Sequence, residues 1–61
     1  MTLYINFIHL SKFEALYSTN ETLQDVIERD TGIRWQVDDE ADTEEIGSML
    51  DRNKIKHQWD D

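Results

Sequence analysis

Carboxylates are the chemistry-bearing groups of this chain, and one short stretch concentrates them. Asp38–Glu45 reads DDEADTEE, with acids at Asp38, Asp39, Glu40, Asp42, Glu44 and Glu45 and no interleaved lysine or arginine. Such a run can chelate a hard cation, support a helix start or dock on a basic surface. Chelation of the EF-hand kind needs oxygen ligands at about positions 1, 3, 5 and 12 of the loop and glycine at about position 6. Counted from Asp38, Glu40 and Asp42 fit, but Thr43 takes the glycine position and Met49 the closing one. No metal is expected there. A helix start fits better: Asp42 and Glu45 have the spacing of an N-cap pair, and the acids before and within the first turn suit the positive end of a helix.

A second acidic series comes earlier. Glu21, Asp25 and Glu28 stand at i, i+4 and i+7, with Glu14 one heptad ahead of Glu21. On one continuous helix they would share a face opposite Leu23, Val26 and Ile27. Like charges at this spacing destabilise a helix slightly, and crowded carboxylates oppose the compact state. One reading is a solvated face that serves solubility. The other is a surface that imitates the phosphates of a nucleic acid. It would occupy the Lys/Arg-lined groove of a protein that handles one, with the salt dependence of phosphate contacts.

No other constellation competes. The chain has no cysteine, so disulfides and thiolate metal sites are excluded, and no Ser/His/Asp or HExxH arrangement occurs. Gly32 and Gly47 are isolated, so there is no phosphate-cradling loop. His9 and His57 fall on expected strands and are read as hydrogen-bonded structural residues. Trp35 and Trp59 take inward strand positions and are read as core, while Tyr4 and Tyr17 are candidate interface anchors. Arg34, Lys54 and Lys56 would form a small basic patch if their two strands were neighbours, and are read as partners of nearby carboxylates. No catalytic residue, cofactor or enzymatic activity is expected.

The whole chain supports a binding role. Its 61 residues carry 14 acidic against 6 basic side chains, a net charge of −8. That balance disfavours direct contact with nucleic acid or an anionic membrane and favours a basic protein partner. The apolar run Leu3–Leu10 is too short for a membrane span and lacks the basic start of a signal peptide. A cytoplasmic location is expected.

Elements follow from periodicity. Leu3–Leu10 (LYINFIHL) is apolar on both alternating sets and predicts a central strand covered on both faces. Ser11 and Glu14 have capping-box spacing. Phe13, Leu16, Asn20, Leu23 and Ile27 then keep a helical stripe, either on one helix with a weak centre at Ser18–Asn20 or on two with Asn20 capping the second. Asp30–Gly32 should end it, with Gly32 at the left-handed C′ position. Ile33, Trp35 and Val37 alternate as a half-buried strand, Ile46, Met49 and Leu50 mark a short helix closed by Asn53, and Ile55, His57 and Trp59 alternate as a last strand. The expectation is a single α+β domain over residues 1–61, a three-stranded sheet backed by two or three helices in the order β-α-(α)-β-α-β.

If Lys12–Thr19 were instead a second strand, with NETLQDVI starting a helix, the chain would resemble a ubiquitin-like β-grasp. In size and charge, though in no motif, it resembles the small acidic inhibitors of phages and other mobile elements, anti-CRISPR and anti-restriction proteins among them. The function expected is therefore a stoichiometric inhibitor or regulator that docks through its carboxylates on a basic, nucleic-acid-handling protein. The alternatives are a homo-oligomerising module, with homodimerisation through the apolar strand, and an antitoxin-like partner of a basic toxin.

Overall fold

A computed structural model describes residues 1–60. In chain order the elements are β1 (Thr2–Ile5), a 3-10 turn (Phe7–His9), α1 (Leu10–Thr19), α2 (Glu21–Val26), β2 (Ile27–Thr31), β3 (Arg34–Val37), α3 (Thr43–Arg52) and β4 (His57–Asp60). The strands form one open sheet in the order β2-β3-β1-β4, and every neighbouring pair is antiparallel. The chain is thus a small α+β domain with four strands, one more than expected. It is not a β-grasp, because Lys12–Thr19 lies within α1.

Only one face of the sheet is covered. Leu3 and Ile5 of β1, Ile27 of β2, and Trp35 and Val37 of β3 point into a core completed by Phe13, Leu23, Ile46, Leu50 and Ile55. Trp35, 1% exposed, holds the centre: its ring meets Phe13 edge-on at 4.7 Å and Tyr17 at 5.1 Å. Arg29 lies over the same indole at 4.5 Å and pairs with Glu14. The Tyr17 hydroxyl donates to the Ile27 carbonyl (2.7 Å), so Tyr17 is tied into the core edge and is no free anchor. Tyr4, Arg34, Gln36, Glu28 and Gln58 share the opposite, uncovered face.

Three expectations are corrected. β1 is interior to the sheet, as expected, but it is covered on one face instead of both and stops at Ile5; Asn6 turns the chain, its side-chain oxygen accepting from the Ile8 amide at 3.0 Å. The sheet uses only the first half of the apolar run, and Phe7 and Ile8 are left 76% and 72% exposed. Ser11 therefore lies inside α1, which continues directly from the 3-10 turn without a side-chain cap, and Glu14 serves an ion pair instead of a capping box.

The third correction concerns the helical stripe. Asn20 does restart a helix, accepting from the Leu23 amide at 3.1 Å, but α2 ends at Val26 and Ile27–Thr31 is a strand. Ile27 satisfies both patterns: it is in phase with the helix stripe and, paired with Val37, on the inner face of the sheet. Gly32, at φ 55°, sits in a two-residue hairpin turn between β2 and β3, not at a helix C′ position. Such turns require a left-handed residue, which glycine adopts without strain.

α3 carries its own start and stop. Asp42 accepts from the Glu45 amide at 3.1 Å. At the far end the Ile55 amide bonds the Leu50 carbonyl (2.9 Å) and the Lys54 amide bonds that of Asp51 (3.0 Å), the hydrogen-bond pair of a Schellman motif. Leu50 and Ile55 are both buried. Lys54 takes the left-handed position at φ 58°, where a side chain costs roughly 1–2 kcal/mol. Lys54→Gly should therefore stabilise the fold by about 0.5–1 kcal/mol net of the added freedom of the unfolded chain. A higher melting temperature is the expected reading, and an unchanged or lower one would count against the strain.

Candidate functional site

The acidic run forms the connection from β3 to α3, and each carboxylate has a distinct local task. Asp38 closes an Asx turn, accepting from the Glu40 amide at 2.9 Å, while its own amide bonds the Val26 carbonyl at 2.8 Å and ties the run to the end of α2. Asp39 accepts from the Met1 ammonium at 3.0 Å. Asp42 caps α3, and Glu44 and Glu45 occupy its first turn. Glu40, Glu44 and Glu45 project into solvent without a basic partner among the described residues. Half of the run thus shapes the loop and half does not. Among the described residues no three potential ligands gather into a metal site.

The second series is divided by the fold. Glu21 and Asp25 lie on α2, but Glu28 lies on β2, opposite Gln36 on the uncovered face of the sheet. The shared helix face expected for Glu14, Glu21, Asp25 and Glu28 does not exist, because the helix ends before Ile27. What the structure does bring together is α2 and the acidic run. Thr22, Leu23 and Val26 face Ala41, Ile46 and Met49 across a shallow cleft of about 60 Å³, with Asp42 and Glu45 on its rim.

The basic residues are scattered. β1 lies between β3 and β4, so Arg34 does not adjoin Lys54 and Lys56 and the expected patch does not form. Arg34 bonds Asp30 (2.8 Å), which also accepts from Gln36 (2.7 Å). The Gln36 hydrogen bond, then Arg34, holds the Asp30 carboxyl below its ordinary value, and Asp30 raises Arg34. For a depressed carboxyl, the stabilisation is present above the unfolded-state pKa and lost as pH falls through the folded one. On this exposed face the contribution is small.

Each histidine contacts a backbone group through Nδ1. His9 ends the 3-10 turn instead of lying on a strand, and its Nδ1 accepts from the Lys56 amide at 3.0 Å. His57 is on β4, with Nδ1 at 3.0 Å from the Ile55 carbonyl oxygen and its ring edge-on to Trp59.

Two surface features escaped sequence reasoning. The exposed Phe7–Ile8 turn was hidden by a strand pattern that ran on too far. An open groove between α3 and β4, lined by Glu44, Gly47, Ser48, Asp51, His57 and Trp59, depends on which strand neighbours α3. Its one local signal was Gly47, a glycine in mid-helix. Among the described residues no helix is long and apolar enough to cross a membrane. No protein-family model, curated protein or solved structure matches the chain.

Proposed function

We propose that this protein is a non-enzymatic inhibitor or regulator that docks, through the acidic rim of the α2–α3 cleft, on a basic protein that handles nucleic acid. The observation that carries this reading is the convergence of Asp42 and Glu45 on one apolar cleft, with Glu21 and Asp25 on the helix that forms its other wall. Glu40 and Glu44 stand close by, in the same run, without ionic partners among the described residues. Unneutralised carboxylates steer a basic partner into encounter and fix its orientation. The apolar floor offers a contact that survives the exclusion of water. Solubility alone would not require acids grouped around an apolar floor.

The test is affinity capture on the immobilised chain from a host lysate, at about 100 mM and about 500 mM salt, a range over which screening sharpens. A basic, nucleic-acid-handling protein held at low salt and released at high salt is the expected result. No captured protein at either salt would overturn the reading.

A second reading, self-association, has its own observation in the adjacent exposed side chains of Phe7 and Ile8. It requires a mass that rises with concentration in sedimentation equilibrium and returns to that of the monomer in Phe7→Ser.

A further inference from the structure

We infer that the free edge of β4 is an interface between two copies of this chain, which pair antiparallel and continue the sheet from one copy into the other. The inference stands apart from the docking reading, and it places self-association on the backbone of β4 instead of the Phe7 and Ile8 side chains.

An open sheet has two edges, and here they are built differently. β2 forms one of them. The Asp38 amide bonds the Val26 carbonyl (2.8 Å), so by the alternation of an antiparallel ladder the Ile27 carbonyl points away from β3. The Tyr17 hydroxyl already occupies that carbonyl (2.7 Å). Beyond it the strand bulges between Arg29 and Thr31, and Glu28, Arg29 and Asp30 are exposed. A capped carbonyl, a bulge and charged side chains keep an edge from pairing.

β4 forms the other edge and carries neither cap nor bulge: its register against β1 runs unbroken from His57 to Asp60. The Asn6 amide bonds the Lys56 carbonyl (2.9 Å), in step with Tyr4 opposite Gln58 and Thr2 opposite Asp60. Every second pair of an antiparallel ladder exchanges hydrogen bonds, so Lys56, Gln58 and Asp60 turn their backbone groups toward β1. His57 and Trp59 turn theirs outward, where no described residue hydrogen-bonds them. The groove between α3 and β4 is open beside His57 and Trp59 and leaves this edge accessible.

The sequence of the edge matches a second copy of itself. With a two-fold axis at Gln58, His57 lies opposite the partner's Trp59, and Trp59 opposite the partner's His57. Every outward N–H and C=O of these residues is then bonded in both copies. Lys56 falls opposite the partner's Asp60 on both sides of the axis, in the pair type that brings side chains closest. Neither residue is ion-paired within the chain among the described residues, and opposite charges facing each other across strands are stabilising. A shift of two residues toward Ile55 would need its amide, which already bonds the Leu50 carbonyl (2.9 Å). A shift the other way carries His57 beyond the partner's β4. Hydrogen bonding and charge thus select the same register.

The test uses the intact chain at up to about 1 mM, because an interface of one short strand is small and weak. About 500 mM salt screens the repulsion between two copies of charge −8. Sedimentation equilibrium should show a mass rising toward that of a dimer, and amide exchange at His57 and Trp59 should slow as concentration rises. Asp60→Lys faces Lys56 with a like charge at both symmetric positions and should weaken association about tenfold. Adding Lys56→Asp to it should restore association. Along one strand the two residues lie roughly 13 Å apart, so the rescue reports a contact between copies. Phe7→Ser should leave the dimer intact. A mass that stays monomeric, unslowed exchange at His57 and Trp59 in an associating protein, or a charge exchange that fails to restore association would overturn the inference. A dimer lost in Phe7→Ser and kept in Asp60→Lys would overturn it in favour of the Phe7–Ile8 contact.

Discussion

Trp35→Ala should leave the protein largely unfolded at 25 °C. The side chain is 1% exposed and sits on β3, where it meets Phe13 and Tyr17 from α1 and Arg29 from β2. It therefore joins the sheet to the first helix and to the hairpin. Removing a buried tryptophan costs about 3–5 kcal/mol, because the surroundings collapse only partly into the cavity. A domain of this length holds roughly 3–9 kcal/mol in all, at about 0.05–0.15 kcal/mol per residue. The loss thus consumes from about a third to all of the stability, and all of it at the lower end of that range.

Trp35→Phe is the informative companion. Trp35 Nε1 is buried without a hydrogen-bond partner, so phenylalanine deletes an unsatisfied donor while keeping a ring against Phe13. It should cost markedly less than alanine. Urea unfolding followed by far-UV circular dichroism reads both variants. An alanine protein within about 1 kcal/mol of the parent would show that the aromatic cluster is not the centre of the core.

The second large effect is on binding. Converting Asp38, Asp39, Glu40, Asp42, Glu44 and Glu45 to asparagine and glutamine should abolish salt-sensitive capture, a loss on the order of 100-fold or more for so many charge contacts. The fold should survive. Asparagine keeps the side-chain oxygen that caps α3 at position 42 and the one that closes the turn at position 38. The lost helix-end charge, about 0.3–1 kcal/mol for each residue in the first turn, is opposed by relief of carboxylate repulsion. An unfolded variant would leave the amides separable into Asp38/Asp39/Asp42 and Glu40/Glu44/Glu45 sets, and the latter set touches no hydrogen bond through its side chains. Unchanged capture by a folded variant would end the docking proposal.

Local chemistry was the legible part of this sequence. Asp42 with Glu45, and Asn20 before Leu23, are caps defined within one turn, and both form. The alternation at Trp35 and Val37 also survives, because a residue two positions away always returns to the same side of a sheet. Ile27 shows where legibility stops. It satisfies a helical and a strand pattern equally, and only pairing with Val37, ten positions on, decides between them. The error then carried to Glu28, which moved from a helix face to the open side of the sheet. The α3–β4 groove was illegible for the same reason at longer range: Gly47 is visible in the sequence, but Trp59 and His57 beneath it are placed by β1.

That placement has a consequence for how the chain is made. β1 leaves the ribosome before the other strands of its sheet, yet its hydrogen-bonding neighbours are Arg34–Gln36 on one side and His57–Asp60 on the other. Until the last of these emerges, the nascent chain holds an interior strand with an open flank, and α3 has no β4 on which to settle. Pairings so distant in sequence slow folding, because loops must close before any contact repays them. The helices can form as they emerge, but the sheet has to wait for His57–Asp60, and a chain stopped short of His57 would leave β1 as an unguarded edge open to pairing with other chains.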